Sequence, residues 1–166
     1  MKKHLWTGVL LGVLCGGVGG VPREARAGHY ELASVEWADE ATLAALASAG
    51  IETTEDLWKA TRTGKGLGRL ARKTRIPVPR LREWHRLCDL MFIGGVGPRV
   101  ARVLTESGVR DRKELARQDP EALTRIIEET NRRIGVLGKL PDVDSVRSWI
   151  EQARQQSAPP GSRGSR

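Results

Sequence analysis

A glycine-rich segment, residues 94–101, combines residue types and spacing that suit contact with an anion. Its sequence is GGVGPRVA, in which Gly95 and Gly97 would permit a tight turn with positive φ angles. Without side chains at these positions, an anionic group can approach main-chain N–H donors at the start of the following helix. Arg99 and Arg102 would add positive charge to a phosphate contact. These two glycines and two arginines are therefore candidate binding residues for the phosphate backbone of a nucleic acid. Binding to the backbone has little sequence preference.

A second candidate is a run of positive charge earlier in the chain. Residues 62–86 include nine basic residues and one acid, whereas residues 28–61 carry seven acids and one lysine. Arg69, Arg72 and Lys73 share one face of a predicted helix and form a candidate basic patch. The charge is therefore distributed unevenly along the chain, which can steer an anionic partner.

Each of these candidates has a structural alternative. The glycines can serve close packing between helices, without any ligand. The basic run can be a solvated face that neutralises the acidic segment before it. Trp58, Trp84 and Trp149 are likewise interpreted as core residues rather than stacking platforms for bases, since they fit the apolar pattern of their helices.

Catalytic chemistry has less support in the sequence. His85 and Cys88 lie at i and i+3, but no third orienting group accompanies them. No histidine or cysteine cluster has the spacing of metal ligands. The glycine-rich residues 64–68 lack the full spacing and the preceding strand of a nucleotide-binding phosphate loop. We therefore predict that the chain is not an enzyme and has no catalytic residue, metal or cofactor.

Helices must position the candidate residues, because apolar residues recur at helical spacing from about Asp39 onward. No stretch keeps the period-2 alternation of a strand, so we predict an all-α fold. Pro98 suits the first residue of the helix that carries Arg99 and Arg102. Further helix starts are indicated by Thr53 or Thr54, by Asp111, by Asp119 with Pro120, and by Asp142 or Asp144.

The helical pattern occurs twice along the chain. Four residues recur 58 positions later, with Leu46, Gly50, Ile51 and Leu57 corresponding to Leu104, Gly108, Val109 and Leu115. Two more recur 65 positions later, with Leu81 and Trp84 corresponding to Val146 and Trp149. Neither unit has enough apolar surface to be stable alone. We therefore expect two pseudo-repeated helical units, about 35–90 and 91–156, packed into one domain.

Three stretches make this pattern specific: DLMFIGGVGPRVARVLTESGVRDRKELA at 89–116, LASAGIETTEDL at 46–57, and the late Pro141 with Trp149, Ile150 and Ala153. On these residues the chain resembles, from Val35 to Gln156, the bacterial domain-of-unknown-function family four-three-three-two. The resemblance implies two degenerate helix-hairpin-helix (SAM-like) units, a nucleic-acid-binding ancestry and no established activity. Gly95, Gly97 and Ala101 have the G-x-G-x-x-x-A spacing of such a hairpin.

The first unit departs from this hairpin pattern. Trp37 and Asp39 stand where glycines are expected, and two acids, Glu36 and Glu40, flank the position. Such a turn would repel phosphate, so we expect at most one usable hairpin.

The first 27 residues predict a secretory signal peptide. Lys2 and Lys3 precede an apolar run from Leu5 to Val21, and Ala25-Arg26-Ala27 offers small residues for cleavage. Cleavage after Ala27 would make the protein extracytoplasmic, either periplasmic or secreted. The alternative is a protein anchored by an uncleaved N-terminal segment.

Residues 28–156 then form the predicted domain, and residues 157–166 are predicted to be a disordered tail, because Gly, Pro, Ser and Arg dominate them. Without the signal peptide, Cys88 is the one cysteine left, so no intramolecular disulfide is expected. We also expect no membrane insertion after cleavage.

Together these features predict an exported, non-enzymatic binding module. The expected partner is a nucleic acid or another polyanion, contacted through the second hairpin without sequence preference. The alternative is a protein-interaction or scaffold domain of the cell envelope that binds an envelope protein and no nucleic acid.

Overall fold

Residues 30–157 are described by a computed structural model, in which they form helices joined by loops, without a β-strand. The α-helices are α1 (Glu40–Ser48), α2 (Thr54–Thr61), α3 (Gly64–Thr74), α4 (Val78–Leu90), α5 (Pro98–Glu106), α6 (Arg112–Leu115), α7 (Pro120–Ile134) and α8 (Val143–Ser157). A short 3-10 helix, Leu32–Ser34, precedes them, and an isolated bridge joins Glu31 to Thr53. The predicted all-α fold is confirmed. The predicted signal peptide, 1–27, and residues 158–166 of the predicted tail lie outside the described residues.

Short polar side chains set the starts of most helices. The side chains of Asp39, Thr53, Thr63, Asp111 and Asp119 cap α1, α2, α3, α6 and α7. The Asp142 side chain accepts the Ser145 N–H in the first turn of α8. Of the predicted alternatives, Thr53 and Asp142 are therefore the residues used. Two helices start without a side-chain cap, α4 after Pro77 and α5 after Gly97.

The helices of the two halves share one apolar core. In the first half α2 packs against α3 and α4, and α1 packs against α3. In the second half α8 packs against α6 and α7, while α5 packs against α7. The halves meet where α4 packs against α5. Both contribute fully buried side chains: Leu46, Leu57, Leu81 and Leu90 from the first, and Leu104, Leu115, Leu123 and Ile150 from the second.

The ends of α1 and α5 have matching local geometry at the 58-residue spacing. Gly50 and Gly108 follow them with φ angles of +79° and +90°. The residue after each glycine donates a main-chain hydrogen bond back to the helix. The Ile51 N–H donates to the Leu46 carbonyl oxygen at 3.0 Å, and the Val109 N–H donates to the Leu104 carbonyl oxygen at 2.9 Å. The two helix ends are therefore built in the same way, whereas the relation of the two units to helix-hairpin-helix motifs stays a prediction.

Trp84 and Trp149 are buried, as predicted for core residues. Trp58 packs against the core but is only half-buried, with the Arg62 guanidinium 5.4 Å from its ring centroid. One boundary of the sequence analysis is wrong. Ser157 belongs to the last turn of α8 and not to a tail. Among residues 30–157, no helix is both long enough and apolar enough to cross a bilayer.

Candidate functional site

The loop between α4 and α5, residues 91–97, carries the predicted hairpin glycines and is held by α8. The Gly94 N–H donates to Gln152 Oε1 at 2.8 Å, and Gln152 Nε2 donates to the Gly94 carbonyl oxygen at 3.3 Å. One turn later, Gln156 Nε2 donates to the Phe92 carbonyl oxygen at 3.3 Å. Two glutamines of the last helix thus fix the path of the loop.

Gly95 shapes this loop for two independent reasons. Its φ angle is +88°, a conformation that L side chains rarely adopt. A Cβ at this position would lie 2.9 Å from Nε1 of the buried Trp149. Gly95 therefore meets the close-packing requirement that the sequence analysis considered as its structural alternative.

Gly97 differs from Gly95, because it is the N-cap of α5 with an extended backbone, φ −83° and ψ 179°. The expected positive φ angle is therefore wrong for Gly97. No side chain caps α5, and within residues 30–157 no acceptor receives the N–H groups of Gly97, Arg99 or Val100. The first N–H groups of a helix have no partner inside the helix, and Pro98 has none to offer. The start of α5 therefore presents main-chain donors to its surroundings.

These donors open into a cleft of about 690 Å³ between α5 and the segment before α1, which we name the α5 cleft. Arg99 and Arg102 line it beside Gly97, and both arginines are exposed. The segment before α1 contributes Tyr30, whose hydroxyl oxygen lies 3.4 Å from the position of a Cβ on Gly97, and Glu36. The α5 cleft thus gathers two guanidinium groups, free N–H donors and a phenol, opposed by one carboxylate.

The start of α1 has the same backbone geometry but a different side chain. Its N-cap, Asp39, has φ −74° and ψ 167°, close to the angles of Gly97. The Asp39 carboxylate accepts the Thr42 N–H at 2.8 Å, and hydrogen bonds from the Thr42 side chain and main chain hold the pKa of Asp39 below its usual value. Helix α1 therefore carries its own anion at the position that α5 leaves open.

The candidate basic patch lies apart from the α5 cleft. Arg69, Arg72 and Lys73 are exposed on α3, and none of them lines the cleft. In the described part of the chain, no ion pair joins the basic run at 62–86 to the acids of residues 30–61. The exposed position of these side chains agrees with the alternative of a solvated face, and the candidate basic patch stays a prediction.

A polar network centred on Asp89 joins the two halves. Its Oδ1 accepts Nη2 and Nε of Arg112 at 2.8 and 3.2 Å, and its Oδ2 accepts the Arg112 main-chain N–H at 3.0 Å. The Trp58 indole Nε1 also donates to Oδ1, at 3.0 Å. The Arg112 guanidinium lies over the rings of Phe92 and Trp58, at 4.9 and 5.8 Å from their centroids. The network thereby connects α2, α4 and α6.

The electrostatics of this network favour the charged form of Asp89. Burial alone would raise the pKa of Asp89, but the hydrogen bonds and charge of Arg112, with the Trp58 hydrogen bond, outweigh burial and lower the pKa. The side chains of Asp89 and Arg112 are only 14% and 22% exposed. Asp89–Arg112 is therefore a mostly buried ion pair whose hydrogen bonds satisfy both partners.

The arrangement around His85 and Cys88 does not suit nucleophilic catalysis. Burial raises the pKa of the Cys88 thiol far above its usual value, so the nucleophilic thiolate does not form at neutral pH. His85 Nδ1 lies 2.9 Å from Thr61 Oγ1, which donates its own hydrogen to the Leu57 carbonyl oxygen at 2.6 Å. In neutral His85 the hydrogen therefore sits on Nδ1.

Across residues 30–157, no group of three or more His, Cys, Asp or Glu side chains is arranged to hold a metal ion.

Sequence reasoning missed three residues that shape this region. Tyr30 precedes the first helix in a segment without a periodic pattern. Gln152 is one of several polar residues on α8, and nothing in the sequence relates it to Gly94. Asp89 is the first residue of the stretch 89–116, but no sequence pattern points to its role, because its partners Trp58 and Arg112 are distant in sequence.

Among family models, one described as Domain of unknown function (DUF4332) matches residues 38–156. The match includes the hairpin loop, both candidate arginines and the α3 patch, whereas Tyr30 and Glu36 precede it. The family resemblance drawn from the sequence is confirmed by this match. No curated protein and no solved structure matches the chain.

Proposed function

Because the chain belongs to the family described as Domain of unknown function (DUF4332), whose description assigns no activity, we propose a function from its own residues. We propose that the protein is a non-enzymatic binding module that contacts the phosphate backbone of a nucleic acid, without sequence preference, through the α5 cleft. The observation that carries the proposal is the uncapped start of α5 beside Arg99 and Arg102. Helix N-termini with free N–H groups are ready-made sites for phosphate oxygens.

The comparison of α1 with α5 supports an open anion position. The two N-caps have nearly the same backbone angles, and in α1 the Asp39 carboxylate fills the position in front of the N–H groups. A phosphate oxygen in front of α5 would take the place that a carboxylate occupies in α1. In this proposal the two units are degenerate helix-hairpin-helix repeats, of which only the second keeps its ligand position.

Glu36 limits the strength of this contact. Its carboxylate lines the α5 cleft and repels a phosphate, so one hairpin with two arginines gives a weak interaction. We expect a dissociation constant on the order of micromolar or weaker at physiological salt, the range of non-specific binding. Glu36 is also the observation that favours the second candidate function, a protein-interaction or scaffold domain, since a cleft of mixed charge suits a polypeptide partner.

Binding to duplex DNA should weaken as salt rises. With roughly two to three phosphates neutralised, the affinity should fall about 12- to 40-fold between 50 and 200 mM salt, because each contact releases counterions. DNA and RNA of different sequences should bind equally. Fluorescence anisotropy across a salt series measures both properties.

Gly97→Asp is the variant that tests the α5 cleft in the same assay. The new carboxylate should cap α5 as Asp39 caps α1, which weakens DNA binding about tenfold or more while the melting temperature stays equal or rises. Gly97→Ala is the matched control, since its Cβ meets nothing nearer than the Tyr30 hydroxyl at 3.4 Å and adds no charge. An absence of DNA and RNA binding by the wild type at low salt would contradict the proposal and leave the protein-interaction function.

We further propose that the protein acts outside the cytoplasm after removal of residues 1–27. The apolar run and the Ala25-Arg26-Ala27 site support this processing. Intact-mass measurement of the protein recovered from the periplasm or medium should give a chain that begins at Gly28. A recovered chain that retains Met1 and fractionates with membranes would instead support the anchored alternative.

A further inference from the structure

A second cleft, of about 580 Å³, lies between α4 and α6, and we name it the α4–α6 cleft. On α4 it is lined by Arg82, His85, Arg86 and Asp89, which share one helix face at spacings i, i+3, i+4 and i+7. The α6 side contributes Arg110, Asp111, Arg112, Lys113 and Glu114. Cations from two helices therefore face one another across this space, and none of these residues lines the α5 cleft.

The carboxylates of the α4–α6 cleft are already bound within the protein. Asp89 is held by Arg112, as described above. The Glu114 carboxylate accepts a hydrogen bond from the main-chain N–H of Arg110 at 2.8 Å and pairs with the Arg110 guanidinium at 3.1 Å. Asp111 caps α6 by accepting the Glu114 N–H at 2.8 Å. The acids that line the cleft therefore have partners of their own.

Three of the cations that line the α4–α6 cleft have no acidic partner. Arg82, Arg86 and Lys113 form no ion pair with any acid among residues 30–157. The charge of Arg86 contributes to lowering the pKa values of both His85 and Glu114, so it lies close to each side of the cleft. Like charges held together raise the free energy of the unliganded protein, and a multiply charged anion between them removes that repulsion.

We propose that the α4–α6 cleft is a binding site for a phosphate-type oxyanion of at least two negative charges, held by Arg82, Arg86 and Lys113. Guanidinium groups match the geometry of phosphate oxygens, and a lysine ammonium adds a point charge. His85 also lines this site, with Nδ1 within hydrogen-bond distance of Thr61, so Nε2 is the nitrogen left for the anion and donates to it once the imidazole is protonated. The site is separate from the α5 cleft and does not depend on the function proposed there.

Inorganic pyrophosphate is the probe for this site, titrated into the full chain in low-salt buffer by calorimetry. Arg86→Gln with Lys113→Gln should weaken binding about tenfold or more, because two charge-assisted contacts are lost. Arg69→Gln with Arg72→Gln, the matched control on α3, changes the net charge equally and should alter binding less than about twofold. In NMR spectra, pyrophosphate should raise the pKa of His85, since a nearby anion favours the imidazolium.

Three results would overturn the site: no binding of pyrophosphate by the wild type, an equal loss in the α3 control, or a greater loss in Arg99→Gln with Arg102→Gln. The first would leave the cations as a solvated surface, the second would show general charge attraction, and the third would locate the ion at the α5 cleft. A short oligonucleotide then distinguishes the source of the phosphate. Displacement of pyrophosphate from the α4–α6 cleft indicates a nucleic-acid backbone, and no displacement indicates a free phosphorylated compound.

Discussion

Asp89→Ala should lower the free energy of unfolding by about 3 kcal/mol, the lower end of the range for breaking a buried ion pair. The variant removes the carboxylate that accepts hydrogen bonds from the Arg112 guanidinium and the Trp58 indole N–H, in a region where the ion pair is mostly buried. The lower end of the range is appropriate because Arg112 keeps 22% of its side-chain surface in contact with solvent and retains a hydrogen bond to Gln156. Urea denaturation followed by circular dichroism measures the difference.

The matched control for this variant is Glu83→Ala on the same helix. Glu83 pairs with Arg80 at 3.3 Å, but both side chains are about half exposed, 51% and 49%. Such exposed pairs contribute little, so the control should change stability by less than about 0.5 kcal/mol. A loss in Asp89→Ala no larger than that of the control would contradict the role assigned to the Asp89 network.

The effect of Asp89→Ala should also depend on pH. Because folding lowers the pKa of Asp89, its stabilisation is fully present above the pKa of an unfolded aspartate, about 3.9, and is lost as the pH falls through the lower folded value. The difference between wild type and variant should therefore be constant near neutral pH and shrink below about pH 4. Asp89→Asn, which keeps an acceptor for the Trp58 indole, should be less destabilising than Asp89→Ala.

Gly66→Ala should lower the free energy of unfolding by about 2 kcal/mol, although alanine is the better helix former by about 1 kcal/mol. Gly66 lies in the first turn of α3, where a Cβ would stand 2.3 Å from the Ala60 carbonyl oxygen of α2. Because that oxygen belongs to the main chain, α2 and α3 must move apart to make room. The close approach of two helices explains this glycine without any phosphate loop.

Gly68→Ala, one half-turn later, is the control with the opposite expected sign. Its Cβ would meet only the flexible end of Arg72, at 3.7 Å, so the helix propensity of alanine should raise stability by about 0.5 to 1 kcal/mol. Thermal denaturation of the two variants side by side measures the contrast. If both variants were stabilised, the close contact at Gly66 would have no energetic consequence.

Much of this fold could be predicted from local sequence signals. Helix starts follow from capping residues such as Thr53 and Asp119, whose side chains accept N–H groups within three residues. Apolar spacing also identified the buried face of α4, with Leu81, Trp84 and Cys88 in the core. These signals succeed because cause and effect lie within a few residues of each other.

The parts of the site that could not be predicted depend on contacts between distant residues. The Gln152 side chain meets Gly94 across 58 positions, and Trp58 meets Asp89 across 31. Tyr30 reaches the α5 cleft from the segment before the first α-helix. For Gly97 the error was local, because the spacing of a hairpin does not distinguish a left-handed glycine from an extended N-cap glycine.

During synthesis, the loop at 91–97 leaves the ribosome well before Gln152 and Gln156, the two residues whose hydrogen bonds hold it. A nascent chain therefore carries the hairpin sequence without its native support until the last helix has been made. The side-chain hydrogen bonds that hold the glycine loop therefore form only after α8 has been made. A chain that ends before α8 would contain every residue that lines the α5 cleft but would lack the two glutamines that bond to the loop beside it.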